Sequence, residues 1–96
     1  MSPNNKIKLN KLRKKLDKLD NLFIKLIKKR TSIVNQVLSL KEKKSQIVDK
    51  RRIKFILNEI KKKSIKNKID PKITNRIWKN MIYSYIDYER RNFKNK

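Results

Sequence analysis

Residues 9–40 read LNKLRKKLDKLDNLFIKLIKKRTSIVNQVLSL, and the spacing of their apolar side chains decides the fold. Leu9, Leu12, Leu16, Leu19, Phe23 and Leu26 follow at intervals of three and four, the period of one α-helical face. The next position on that face is Arg30, after which Ile33, Val37 and Leu40 restore the pattern. Lys41, eleven residues past Arg30, falls within about 20° of the same face and roughly 16 Å further along the axis. Two cations aimed at one helical interior point to a buried anionic ligand rather than to surface decoration.

The composition agrees with long helices. The 96 residues suit one domain, here taken as residues 1–96 with 1–6 and 93–96 flexible; there is no Gly, and the two prolines are Pro3 and Pro71. Tight β-hairpins are disfavoured in such a chain. Hydrophobic residues make up 36%, below the usual ~45–50%, so core material is scarce. The net charge of +22 favours anionic partners and predicts nonspecific nucleic-acid binding at low salt, without making nucleic acid the target; nucleic acid is expected as a nonspecific partner at most. Abundant Lys, Ile and Asn without Gly or Ala is also the bias that an AT-rich genome imposes.

The absence of Cys and His excludes disulfides, a zinc site of the usual ligands, a thiol nucleophile and histidine acid–base catalysis. No metal or other cofactor is expected. Met1–Lys6 lacks the apolar region of a signal peptide, and no apolar run nears the ~18 residues of a membrane helix. The expectation is a cytoplasmic protein without membrane contact.

Three helices are predicted. The first covers residues 5–40 and would be about 54 Å long, roughly twice the diameter of a compact domain of this size. The remaining chain cannot cover its seam, which predicts a homodimer in which the long helices pack together. Residues 42–48 read as a loop, and Asp49 as the cap of a second helix with Ile53, Ile56, Leu57 and Ile60 inside. Residues 61–68 read as a basic connector. Asp70-Pro71 opens a third helix, running to about residue 92 with a stripe of Ile73, Ile77, Trp78, Met81, Ile82 and Tyr85. Glu89, four residues past Tyr85, is either a solvated helix end or a second buried charge.

Taken in order, Leu12-Arg13, Asp17, Asp20, Arg30, Lys41, Asp49-x-x-Arg52 and Arg76-Ile77-Trp78 resemble the all-helical (type II) chorismate mutases. The likeness spans roughly residues 9–90, with Arg13, Arg30 and Lys41 spaced by seventeen and eleven. It implies an intertwined homodimer of three-helix chains with two active sites, each taking one arginine from the other subunit. Arg13, directed about 100° away from Arg30 on the same helix, would then serve the partner's site. The resemblance further implies that Arg13 of the partner and Arg30 clamp the two carboxylates of chorismate. Lys41 would donate to the ether oxygen and one carboxylate. Arg52 would support these cations, and the Asp49 backbone would approach the substrate hydroxyl.

The implied reaction needs no nucleophile, metal or proton relay. Chorismate becomes prephenate by an intramolecular pericyclic rearrangement, so the protein must hold a compact conformer and stabilise charge on the breaking ether oxygen.

Three positions depart from the family pattern. Ile53 stands where a Glu usually binds the substrate hydroxyl, and Tyr85 where a small Ser is usual. Glu89 replaces the usual Gln that donates to the ether oxygen. A carboxylate only accepts, whereas a protonated carboxyl can donate. Activity that declines as Glu89 ionises is therefore expected. The alternatives are an isochorismate pyruvate lyase, a mutase-fold protein with impaired catalysis, or a basic helical nucleic-acid binder.

Overall fold

Three helices, α1 (Pro3–Leu40), α2 (Lys50–Lys66) and α3 (Pro71–Asn92), account for most of the computed structural model, which describes residues 1–94. A short 3₁₀ turn at Lys44–Gln46 is the one further element among the described residues, and no strand occurs there. The all-α expectation therefore holds, with a very long first helix. No helix among the described residues is long and apolar enough to cross a membrane. Of the termini expected to be flexible, residues 3–6 are helical, and 95–96 lie outside the described residues.

The chain divides into two units, Met1–Ile33 and Val34–Lys96, with the boundary inside α1. In the first unit the helix starts two residues earlier than the sequence pattern suggested. Ser2 caps it, its hydroxyl accepting from the Asn5 N–H at 3.2 Å and its carbonyl from the Lys6 N–H at 2.9 Å. Pro3 then occupies the first helical position, where its missing N–H costs nothing. Leu12, Leu16, Leu19, Phe23 and Leu26 are each more than half exposed, so the apolar seam lies open along the helix.

The second unit contains the core. Leu38, Ile47, Ile82 and Ile86 are its buried members, with Val48, Ile53, Ile56, Leu57 and Phe93 packed against them. Leu38 corrects the reading of α1: it is 8% exposed, whereas the seam residues Val37 and Leu40 are 44% and 79% exposed. A neighbouring face of the helix, not the leucine seam, meets the rest of the chain. Ile47 pins the α1–α2 connection from within. Its polar side is closed by Gln46, whose side-chain oxygen accepts from the Glu42 and Lys43 N–H groups at 2.7 and 2.9 Å.

Asp49 caps α2, its Oδ1 accepting from the Arg52 N–H at 3.0 Å. The helix continues to Lys66, so most of the expected basic connector is helical. The continuation keeps Ser64, four residues after Ile60, on the inner face. There its hydroxyl donates to the Ile60 carbonyl at 2.6 Å and lies 2.7 Å from Thr74 Oγ1 on α3. With no glycine to end the helix, Lys68 takes the left-handed conformation (φ 57°). The Ile69 N–H bonds to the Ser64 carbonyl and the Lys68 N–H to the Ile65 carbonyl, the paired bonds of a Schellman ending. Asp70 and Pro71 open α3 as expected, with Asp70 Oδ1 accepting from the Lys72 N–H at 2.9 Å.

Candidate active site

On α3 the buried positions Ile82, Ile86 and Glu89 recur at intervals of four and three. A carboxyl thus ends an apolar stripe instead of fraying into water, and Glu89 is only 6% exposed. Opposite it, α1 ends at Leu40, and Lys41 is the first residue beyond the helix, its N–H bonded to the Leu38 carbonyl at 3.1 Å. Burial of Leu38 carries the chain inward at this point. The Lys41 ammonium donates to Glu89 Oε1 at 3.1 Å, with side-chain exposures of 18% and 8%. Desolvating both charges is costly, and their mutual attraction offsets that cost only at such short range.

Tyr85 lies one helical turn before Glu89 and is half-buried. Its ring meets that of Tyr88 edge to face, with centroids 6.3 Å apart and planes at 86°. The Tyr88 hydroxyl reaches back to α1 and donates to Asn35 Oδ1 at 2.9 Å. Neither Asn35 nor Tyr88 is legible from sequence as a pair, because 53 residues separate them.

Asp49 and Arg52 meet at the start of α2, where the aspartate's side chain is engaged in the cap. The Arg52 guanidinium stacks over the Phe55 ring at 5.4 Å from its centroid. Ile53, at the position where the family pattern has a carboxylate, packs against the core. Arg13 and Arg30 are exposed on α1 within the unit Met1–Ile33. The structure therefore brings the Lys41 and Glu89 side chains together, whereas Asp49 is bonded to the backbone N–H of Arg52 and the guanidinium lies over Phe55. Among the described residues no three His, Cys, Asp or Glu side chains gather as a metal site would require. A groove of about 320 Å³ between α2 and α3, lined in part by Asn58, Lys61, Lys72 and Asn75, contains none of these candidate residues.

The described residues thus bring a part-buried lysine against a buried carboxyl in an all-helical chain. Residues 12–90 match the family model described as chorismate mutase type II. The chain is also 34% identical over 76 residues to a chorismate mutase of Methanocaldococcus jannaschii, covering 78% of this chain and 77% of that protein. No solved structure matches at a significant level. The chain belongs to the chorismate mutase type II family, a family of isomerases.

Proposed function

We propose that this protein is a chorismate mutase, converting chorismate to prephenate in aromatic amino-acid biosynthesis, and that it works as a homodimer in the cytoplasm. The observation that carries this reading is the pair of part-buried Lys41 and buried Glu89 at 3.1 Å, found in a chain of the matching family. Lys41 donates to the ether oxygen as its bond to carbon breaks, where a compact ammonium stabilises growing negative charge. Glu89, when protonated, donates to the same oxygen. Arg30 and the partner's Arg13 clamp the two substrate carboxylates, a task suited to the planar guanidinium fork. The Asp49 backbone approaches the substrate hydroxyl, Arg52 supports the substrate-facing cations, and Tyr85 forms a wall of the pocket.

The open leucine seam of α1 supports the dimer. Its exposed side chains include Leu12, Leu16, Leu19 and Phe23, and a second copy of the helix would cover them. A dimer also supplies the second arginine to each site.

The test is product identification. Purified protein is incubated with chorismate, and the products are resolved by chromatography against a prephenate standard. Prephenate formation is expected, and Arg30→Ala or Lys41→Ala is expected to lose it while helicity by circular dichroism persists. Wild-type turnover retained in both variants would refute the assignment. Ile53 favours one second reading, because an apolar side chain in the core cannot hold the substrate hydroxyl as a carboxylate would. Release of pyruvate from isochorismate without prephenate formation from chorismate would establish that lyase reading instead.

A further inference from the structure

One polar contact between α1 and α3 lies outside the machinery described above. The Tyr88 hydroxyl donates to Asn35 Oδ1 at 2.9 Å, and the same ring stands edge-on to Tyr85, 6.3 Å between centroids. A single side chain thus touches both the end of α1 and a wall of the proposed pocket. From the end of α1 into the residue after it, the attachments to α3 follow at intervals of three: Asn35 to Tyr88, Leu38 within the Ile82 and Ile86 cluster, and Lys41 to Glu89.

The order of these attachments matters. Lys41 lies just past the helix end, on a long stem that does not hold its own position. Its location depends on how firmly the preceding turns are seated. Leu38 seats them by apolar contact, which resists separation but is non-directional. The Tyr88–Asn35 bond is exposed but directional, so it favours one rotation and register of the last turns against α3.

We propose that Tyr88 is a positioning residue for the mutase reaction, acting through Asn35 to set Lys41 against the ether oxygen and through its ring to hold Tyr85. This rests on the mutase reading above. A displacement of about 1 Å at a charge-stabilising group can cost up to about a hundredfold in rate, so a lost tether that leaves Leu38 in place should cost less.

The experiment compares Tyr88→Phe, which keeps the ring and removes the hydroxyl, with Asn35→Ala and the double variant. Each single change is expected to lower kcat about three- to tenfold with little change in KM, since the affected interaction grows in the transition state. The double variant should lose no more than either single one, because the two side chains act as one unit. Tyr88→Leu, which also removes the ring, should raise KM as well.

A second readout is independent of turnover. Acylation of Lys41 by an amine-reactive ester, followed by peptide mass spectrometry, should be several-fold faster in Tyr88→Phe than in the wild type. Wild-type kcat and wild-type labelling in Tyr88→Phe would overturn the proposal. So would a lower melting temperature with unchanged kcat, or kcat losses that simply multiply in the double variant. If the wild type does not convert chorismate, the mutase reading falls by itself. The labelling rate then still decides whether Tyr88 positions Lys41.

Discussion

The ammonium of Lys41 stands 3.1 Å from Glu89 Oε1, joining the first residue after α1 to the last turns of α3 across 48 residues of sequence. A substrate oxygen that needs the lysine's proton must compete with this carboxylate for it. An ionised Glu89 holds the ammonium and repels a developing oxyanion, whereas a protonated Glu89 releases it and can donate in its own right.

Glu89→Gln replaces the carboxylate that holds Lys41 by an amide that can donate. The variant is expected to raise kcat/KM at pH 7 several-fold, because the amide side chain no longer repels a developing oxyanion. An unchanged or lower kcat/KM in a variant of wild-type stability would show that the carboxylate does not limit the reaction.

Lys41→Met separates catalysis from stability. Loss of a preorganised donor should reduce kcat by about a hundred- to a thousandfold. The same change leaves a buried carboxyl without its donor, with an expected loss of about 1–3 kcal/mol in urea unfolding at pH 7. Adding Glu89→Leu should recover most of that stability and none of the turnover, since a well-packed apolar pair can replace a buried ion pair.

Legibility from sequence followed the range of the interactions. Asp49 and Asp70-Pro71 announce α2 and α3 because caps are local, and the Leu9–Leu40 period announces α1 because a helix face repeats. Lys61–Lys66 misled because charge was read as a break, although Ile60 and Ser64 keep one face of the helix inside. Leu38 was missed because the stronger seam beside it lies open instead of packing within the chain. At the site, Lys41 and Glu89 stood out as charges interrupting apolar faces. Asn35 and Tyr88 interrupt nothing, and only the folded chain brings them together.

Mixing two inactive variants tests the shared site. Arg13→Ala and Arg30→Ala should each be inactive as homodimers. Unfolded together and refolded, half of the dimers should be mixed, each with one intact site of two. The mixture should then recover about a quarter of wild-type activity. No recovery, with mixed dimers detected by native mass spectrometry, would place Arg13 and Arg30 in the same subunit's site.

Lys68→Gly should stabilise the chain. The residue holds φ 57° at the end of α2, where a side chain beyond hydrogen costs about 1 kcal/mol. An increase of about that size in unfolding free energy is expected, with turnover unchanged. A decrease would mean that the added freedom of glycine in the unfolded chain outweighs the relief.

The most direct measurement is a proton NMR time course of chorismate with the wild-type protein at pH 5, 6, 7 and 8. The vinyl and ring signals of chorismate should give way to those of prephenate above the uncatalysed rate at every pH. Chorismate left unchanged at every pH by protein shown to be a folded dimer would contradict the central claim.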